Sequence, residues 1–145
     1  MGSIVVGSME RSYLLHLPPG DLEGLPLIIA LHPLGSNPKL MEAMTSLSEA
    51  ADRHRFIVAY PQGFRPEGGR SSWNALFCCK GARDANVDDI GFLSRLIDLM
   101  REEYGIKGTM VAGMSNGGML AHIAAIKLAE KIDAMAAVAA TIGPG

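Results

Sequence analysis

The strongest constraint on the fold is a series of short apolar runs that alternate with helical patterns. These runs lie at Leu25–Leu31, Phe56–Tyr60, Thr109–Ala112 and Ala134–Ala140. Continuous apolar runs of this length are typical of strands that are covered on both faces, as in a parallel sheet. The sequence therefore predicts a sheet whose middle strands are buried.

The segments before the first apolar run predict two further strands. Ile4–Val6 and Ser12–Leu17 are separated by the turn signal Gly7-Ser8. The order is thus two strands, then a strand and a helix in alternation, ending on a strand. That alternation predicts an α/β fold with a mostly parallel sheet, right-handed crossovers and helices on both faces. We expect residues 1–145 to form one domain.

Three helices are predicted between the runs. Asn37-Pro38 provides a cap for the first, and its apolar positions at three- and four-residue spacing run from Met41 to Ala51. Asn86 is predicted to cap the second, with Asp88 and Asp89 as favourable charges in its first turn. Gly105 is predicted to end the second helix, and residues 117–130 form the third.

Composition excludes several classes of function. Hydrophobic residues make up 48% of the 145-residue chain and charged residues 19%, which is typical of a globular domain. The net charge of −2 offers no basic footprint for nucleic acid. No apolar run reaches the roughly 20 residues of a membrane helix. Met1–Glu10 lacks the pattern of an intact signal peptide.

The two cysteines are adjacent, at Cys78 and Cys79. Neighbouring cysteines seldom form a disulfide with each other, so we expect two small residues packed under a loop. The chain has no C-x-x-C spacing and no clustered histidines, so we expect no metal site and no cofactor.

The motif that carries chemistry is Gly113-Met114-Ser115-Asn116-Gly117-Gly118, between a predicted strand and a predicted helix. G-x-S-x-G in this context is typical of a strained turn that presents a serine nucleophile. Glycine is needed at Gly113 and Gly117 because strand and helix approach closely there. A bare match can also be a glycine-rich turn, but its position after an apolar strand favours Ser115 as a nucleophile.

A hydroxyl nucleophile that attacks a carbonyl needs donors for the negative oxygen that forms. The Asn116 amide, at the start of the helix, is one predicted donor. The loop His32-Pro33-Leu34-Gly35 follows the first buried strand and is predicted to supply the other. Because Pro33 has no N–H, Leu34 is the expected donor. We interpret His32 as orienting this loop beside the substrate, with a catalytic base as the alternative.

Several further segments extend the pattern over nearly the whole chain, in order. They are Ala30-Leu31-His32, Ala51–Val58 with Tyr60-Pro61, Ser72-Trp73-Asn74, Cys78-Cys79, Val87–Leu93 and Gly113–Met119. Together they resemble the α/β-hydrolase branch that includes polyhydroxybutyrate depolymerases, feruloyl esterases and acetylxylan esterases. The resemblance implies a serine esterase acting on a small acyl, hydroxycinnamoyl or polyester substrate through an acyl-serine intermediate, and it suggests secretion.

Two departures from this family stand out. Family members usually carry His-Gly where this chain has His32-Pro33. The family's catalytic acid and base follow later strands, whereas this chain ends at residues 141–145. The hydrolase domain is therefore expected to be partial, truncated after the strand that follows the nucleophile helix. His16, His54 and His122 are poorly placed to replace the base, since His122 lies two helical turns beyond Ser115.

These observations leave alternatives open. The chain is expected to hydrolyse short-chain or aromatic carboxylic esters; the alternative is a catalytically incomplete hydrolase fold that serves as an assembly or binding module. Peptidase or acyltransferase chemistry would use the same serine. Trp73 is expected to line the substrate site or, equally, to anchor its loop. The apolar strand Ala134–Ala140 would form an open sheet edge, which predicts a homo-oligomer.

Overall fold

The structure, a computed structural model, describes residues 1–143. Its strands are β1 (Gly2–Val6), β2 (Met9–His16), β3 (Leu27–Leu31), β4 (Ile57–Pro61), β5 (Thr109–Met114) and β6 (Ala134–Val138). Its helices are α1 (Pro38–Thr45), α2 (Leu47–His54), α3 (Asp89–Tyr104) and α4 (Asn116–Lys127).

The strands form one sheet in the order β1-β2-β4-β3-β5-β6. Strand β3 pairs in parallel with β4 and β5, and β5 pairs in parallel with β6. The opening strands β1 and β2 join antiparallel at one side. This arrangement confirms the predicted mostly parallel sheet and aligns the carboxyl ends of β3, β4, β5 and β6.

Side chains that alternate along the strands build a separate apolar layer on each face. Leu27, Ile29 and Leu31 of β3 belong to the larger cluster, which includes apolar side chains of α3 and α4. Ala30 of β3 belongs to a smaller cluster with Met41 and Ala51 of α1 and α2. Helices therefore cover both faces, as the sequence predicted.

The single helix predicted after Asn37 is wrong in one respect, because the structure divides it into α1 and α2. Asn37 caps α1 as predicted, since its side-chain oxygen accepts a hydrogen bond from Leu40 N at 3.0 Å. The division occurs at Ser46, whose φ of 53° is left-handed. A left-handed residue ends the regular backbone hydrogen bonding, whatever the spacing of apolar side chains across it.

The predicted start of α3 also needs correction. Asp88, rather than Asn86, is the capping residue, and its carboxylate accepts a hydrogen bond from Gly91 N at 2.8 Å. Asp89 is not an exposed dipole charge. It is 1% exposed and pairs with the buried guanidinium of Arg11 at 2.7 Å. At the far end, Gly105 closes the helix in a left-handed conformation, as predicted.

The expectation for the cysteines is wrong, because Cys78 and Cys79 are bonded to each other in the structure. Both side chains are half-buried in the long segment between β4 and α3. The pairing was not predicted because adjacent cysteines can bridge only where the loop adopts an uncommon backbone conformation. Cys79 has a positive φ of 66°, which is one such conformation.

Across residues 1–143, no helix combines the length and the apolar character that crossing a membrane requires. The described residues also contain no cluster of histidine, cysteine and carboxylate side chains suited to holding a metal ion.

Candidate active site

Ser115 lies at the sharp turn between β5 and α4, at the carboxyl end of the sheet. Its φ of 53° and ψ of −120° fall in a region that residues other than glycine rarely adopt. Ser115 N donates a hydrogen bond to the Val138 carbonyl at 2.9 Å, and Ser115 O accepts one from Met119 N at 2.9 Å. The strained backbone is therefore held from both the neighbouring strand and the helix, while the side chain remains half-buried.

The turn is packed too tightly for any side chain at two of its glycines. A Cβ at Gly113 would lie 2.3 Å from the Gly117 carbonyl oxygen, and a Cβ at Gly117 would lie 2.2 Å from Leu31 O. The same Gly117 position is 2.7 Å from His32 O. These approaches bring the end of β3, and the loop that follows it, directly against the serine turn.

Residues 33–36 of that loop form a β-turn. Ser36 N donates to Pro33 O at 3.1 Å, and Gly35 has a φ of 76°, as the third position of a type II turn requires. Gly35 N is also paired, with Ser71 O at 2.8 Å. In such a turn the N–H of the second residue takes no part in the turn hydrogen bond. Leu34 N forms no hydrogen bond with any residue in 1–143, which leaves it available to an incoming oxygen.

The second expected donor is Asn116 N. It occupies the first position of α4, where backbone N–H groups have no partner within the helix. Within the described residues it has no acceptor outside the helix either. The helix N-terminus adds a partial positive charge at the same place. The structure thus packs the end of β3, from which the Leu34 loop begins, against the turn that contains Ser115 and Asn116.

His32 is fully buried behind the Leu34 turn, and both ring nitrogens are occupied. Gly63 N donates to Nε2 at 2.9 Å, so Nε2 carries no proton, and Nδ1–H donates to Pro33 O at 2.8 Å. Burial lowers the pKa of His32, and the bond to the Pro33 carbonyl opposes this shift only in part. His32 is therefore a neutral imidazole that joins two loops, and its position argues against contact with substrate.

Trp73 is also fully buried, which favours the alternative in which it anchors its loop. Its indole N–H donates to His32 O at 2.9 Å, and its ring centroid lies 5.1 Å from that of His32. The Asn116 side chain binds the backbone of Trp73 on both sides: its Oδ1 accepts from Trp73 N at 2.7 Å, and its Nδ2 donates to Trp73 O at 3.2 Å. This geometry argues against the expectation that the Trp73 ring lines the substrate site.

Asp89 and Arg11 form a support that the sequence did not reveal. Asp89 accepts a hydrogen bond from Asn74 N at 2.7 Å, next to the amide that Asn116 holds. Arg11 pairs with the other carboxylate oxygen and lies 4.4 Å over the Phe92 ring. Burial raises the pKa of Asp89, although the guanidinium of Arg11 opposes this. The two side chains come from segments far apart in the chain, so no local pattern signals the pair.

No histidine in residues 1–143 forms a hydrogen bond with Ser115. Ser115 Oγ forms no hydrogen bond within residues 1–143. His16 instead pairs with Asp52 at 2.7 Å, at the opposite end of β2 from its turn with β1. His54 is exposed at the end of α2, and His122 lies on α4 beyond the serine turn. These positions agree with the expectation that His16, His54 and His122 are poorly placed, and the two occupied ring nitrogens of His32 argue against the alternative in which it is the base.

Comparisons with known proteins point in one direction. The profile of the family described as "Esterase PHB depolymerase" matches residues 11–143. No curated protein sequence matches the chain.

Solved structures share the fold. An acetyl xylan esterase from Aspergillus awamori has a TM-score of 0.70 at 15% identity, over 91% of this chain and 47% of that one. For Est1E from Butyrivibrio proteoclasticus with bound ferulic acid, the TM-score is 0.67 at 15% identity, over 93% of this chain and 51% of that one. For an S-formylglutathione hydrolase from Agrobacterium tumefaciens, the TM-score is 0.70 at 15% identity, over 96% of this chain and 56% of that one. The chain therefore spans about half the length of these structures.

Proposed function

This chain belongs to the PHB depolymerase family of esterases, and from that premise we propose that it carries the nucleophile and the oxyanion hole of a serine carboxylesterase. The proposed substrates are short-chain or aromatic carboxylic esters. The observation that carries the proposal is the positive φ of Ser115, a non-glycine residue held at a strand-to-helix turn and followed by the Asn116 N–H, which has no acceptor within residues 1–143.

The proposed reaction has two stages. Ser115 Oγ adds to the ester carbonyl carbon and loses its proton to a base, and the N–H groups of Leu34 and Asn116 stabilise the negative oxygen. The carbon–oxygen bond to the alcohol then breaks, the alcohol leaves with the proton, and an acyl-serine remains. Water adds to that acyl group and releases the carboxylic acid with regeneration of the serine. The net change is ester plus water to acid plus alcohol.

Backbone strain supports the nucleophile. A non-glycine residue at positive φ costs of order 1–3 kcal/mol and persists only where the surroundings impose it. A turn with only a structural role would be served better by glycine at position 115. Serine at this position is explained by a hydroxyl that needs a fixed place beside the two donors.

The base is proposed to come from outside the described residues. Residues 1–145 would then form a single partial domain that supplies the nucleophile and both donors, and the remaining groups come from another segment or subunit. The names of the matched structures indicate acetyl xylan, ferulic acid and S-formylglutathione chemistry for those proteins. For this chain they support an ester or thioester carbonyl as the reacting group.

Covalent labelling tests the proposal. The chain is treated with a fluorophosphonate probe, and the modified peptide is identified by mass spectrometry in the parent, in Ser115→Ala and in Ser8→Ala. Ser8 lies in the exposed turn between β1 and β2 and provides a matched loss of a hydroxyl. We expect label on Ser115 in the parent and in Ser8→Ala, and 4-nitrophenyl acetate turnover at least about tenfold lower in Ser115→Ala.

An unlabelled Ser115, together with equal turnover in all three proteins, would remove the proposal that this chain, alone or as an oligomer, is an esterase. That result would favour the second candidate, an assembly module. The observation behind this candidate is that residues 1–143 place no hydrogen-bonded base at Ser115 and leave β6 as an edge strand of the sheet.

A further inference from the structure

A cavity of about 300 Å³ opens beside the turn that presents Leu34 N. Its lining includes Leu34, Arg70, Ser72, Cys79 and Lys80, and no carboxylate contributes to it. A volume of this size holds a small organic group. Leu34 connects the cavity to the site at which the ester carbonyl would bind.

The two cations of the cavity are free to bind a ligand. Neither Arg70 nor Lys80 forms an ion pair with a residue in 1–143, whereas the nearby Arg83 is paired with Asp84 at 2.8 Å. The Ser72 hydroxyl is already used, since it accepts from Ala82 N at 3.0 Å and donates to Lys80 O at 3.2 Å. An anionic ligand would therefore meet two unpaired cations and no competing charge from the lining.

Arg70 is held close to the Leu34 turn by the backbone around it. Gly35 N donates to Ser71 O at 2.8 Å, and Ser71 Oγ donates to Ser36 O at 2.6 Å. The Arg70 side chain packs on Gly35, with its Cδ 3.3 Å from the position that a Cβ would take there. The stem of Arg70 thus lies directly beside Gly35, the residue that follows Leu34.

The remaining lining is apolar, with Leu34, Pro66 and the Cys78–Cys79 disulfide contributing at Cys79. A ligand that fits has a short apolar stem and one negative end. Arginine favours carboxylates because its guanidinium donates two parallel hydrogen bonds to them. We propose that this cavity binds a carboxylate carried by the ester substrate, a few atoms from the scissile carbonyl, through Arg70 and Lys80. The proposal rests on the proposed esterase function and refines its substrate class.

Kinetics with matched esters test it. The neutral reference is 4-nitrophenyl butyrate; mono-4-nitrophenyl glutarate carries a carboxylate on the acyl side, and 4-acetoxybenzoate carries one on the alcohol side. We compare the parent, Arg70→Gln/Lys80→Gln and the control Arg53→Gln, an exposed change on α2. For an anionic ester we expect kcat/KM to fall about tenfold in the double variant, since each exposed cation accounts for a few-fold effect.

The neutral ester should change by less than about twofold in the same variant. The anionic effect should shrink as salt is raised towards about 1 M, where charges are screened within roughly 3 Å. A lower kcat/KM of the double variant for the glutarate would place the carboxylate on the acyl side of the substrate. A lower kcat/KM for the acetoxybenzoate would place it on the alcohol side, and either result supports the proposal. Equal losses for neutral and anionic esters, or no loss with either anionic ester, would overturn it.

A binding measurement separates this inference from the esterase proposal. The unreactive probe is N-butylglutaramate, the monoamide anion, with N-butylbutyramide as its neutral partner, and binding is followed by NMR shifts of the backbone amides. Saturable binding of the anion that is lost in Arg70→Gln/Lys80→Gln supports the subsite even where no ester is cleaved. Ser115-dependent cleavage of the neutral ester without such binding overturns the subsite and leaves the esterase proposal standing.

Discussion

Ser115 has a backbone conformation that is sterically unfavourable for a residue with a side chain. At φ 53° and ψ −120°, the Cβ crowds the neighbouring backbone, and the hydrogen bonds of Ser115 N and O hold it there nonetheless. Gly113 and Gly117 do not share this conflict, since they are small where the packing requires it. Within residues 113–118, Ser115 is thus the one non-glycine residue with a positive φ, and it bears the proposed nucleophile.

Replacing Ser115 should therefore separate stability from chemistry. Glycine relieves the strain of the positive φ, whereas alanine keeps it, so we expect Ser115→Gly to be about 1 kcal/mol more stable to unfolding than Ser115→Ala. Both should lose fluorophosphonate labelling. Urea unfolding monitored by circular dichroism gives the free energies. Ser8 has no positive φ, so Ser8→Gly should not be more stable to unfolding than Ser8→Ala. Equal stabilities of Ser115→Gly and Ser115→Ala would show that the turn is not strained.

At the level of elements, neutral His32 holds the loop after β3 to the segment after β4. Its Nε2 must stay unprotonated to accept the Gly63 N–H, and Trp73 binds the carbonyl of the same residue. A protonated imidazole would turn this acceptor into a second donor facing an N–H. The two segments that position Leu34 therefore depend on one uncharged ring.

This arrangement predicts a pH dependence of stability. Because burial lowers the folded-state pKa of His32, the unfolded chain binds the proton first as the pH falls. The stabilisation is complete above the unfolded pKa of about 6.5 and is lost progressively below it. We expect the free energy of unfolding to decrease between about pH 7 and pH 5, and to decrease less in His32→Gln than in the control His54→Gln.

The same experiment has a direct spectroscopic check. In histidine-selective ¹⁵N spectra, His32 should show the Nδ1–H tautomer at pH 7 and should remain neutral below the ordinary histidine pKa of about 6.5. A ring that protonates at or above that pH, or an equal pH dependence in both variants, would contradict the role assigned to His32.

Some helices and strands could be predicted from the residues next to them in the sequence. The buried strands β3, β4 and β5 and the cap at Asn37 were predicted because each depends on neighbouring residues alone. The division of α1 from α2 at Ser46 escaped prediction, since the apolar spacing continues across it. The role of Asp89 escaped for a different reason: its partner Arg11 is 78 residues away, and a carboxylate in a first helical turn is expected to be exposed.

For the whole molecule, the serine turn could be predicted and its surroundings could not. Gly113–Gly118 is a local motif, and the donor loop follows from its place after a buried strand. The segment between β4 and α3 has no periodicity, so its contacts with His32, Asn116 and Asp89 were visible only in three dimensions. Trp73 illustrates the consequence: either proposed role suited the sequence, and burial decided between them.

Within residues 1–143, β6 is the edge strand of the sheet on the side of the serine turn. Strand β6 is the last in the sheet order, and both Ala134 and Val138 are exposed on it. An exposed apolar edge presents unpaired N–H and C=O groups to another strand. The Val138 carbonyl accepts from Ser115 N on the β5 side, so a strand added at the other edge of β6 would lie one strand away from the serine turn. We therefore propose that β6 is where a second copy of the chain pairs.

Lysine on an edge strand opposes such pairing, because a charge must be desolvated when the strands join. We expect the parent chain to sediment as an oligomer at micromolar concentration and Ala134→Lys/Val138→Lys to sediment as a monomer. Val5→Lys makes the corresponding change on β1, at the other side of the sheet, and should leave the oligomer intact. A parent chain that sediments as a monomer throughout this range, or an oligomer that dissociates only in Val5→Lys, would remove β6 as the interface.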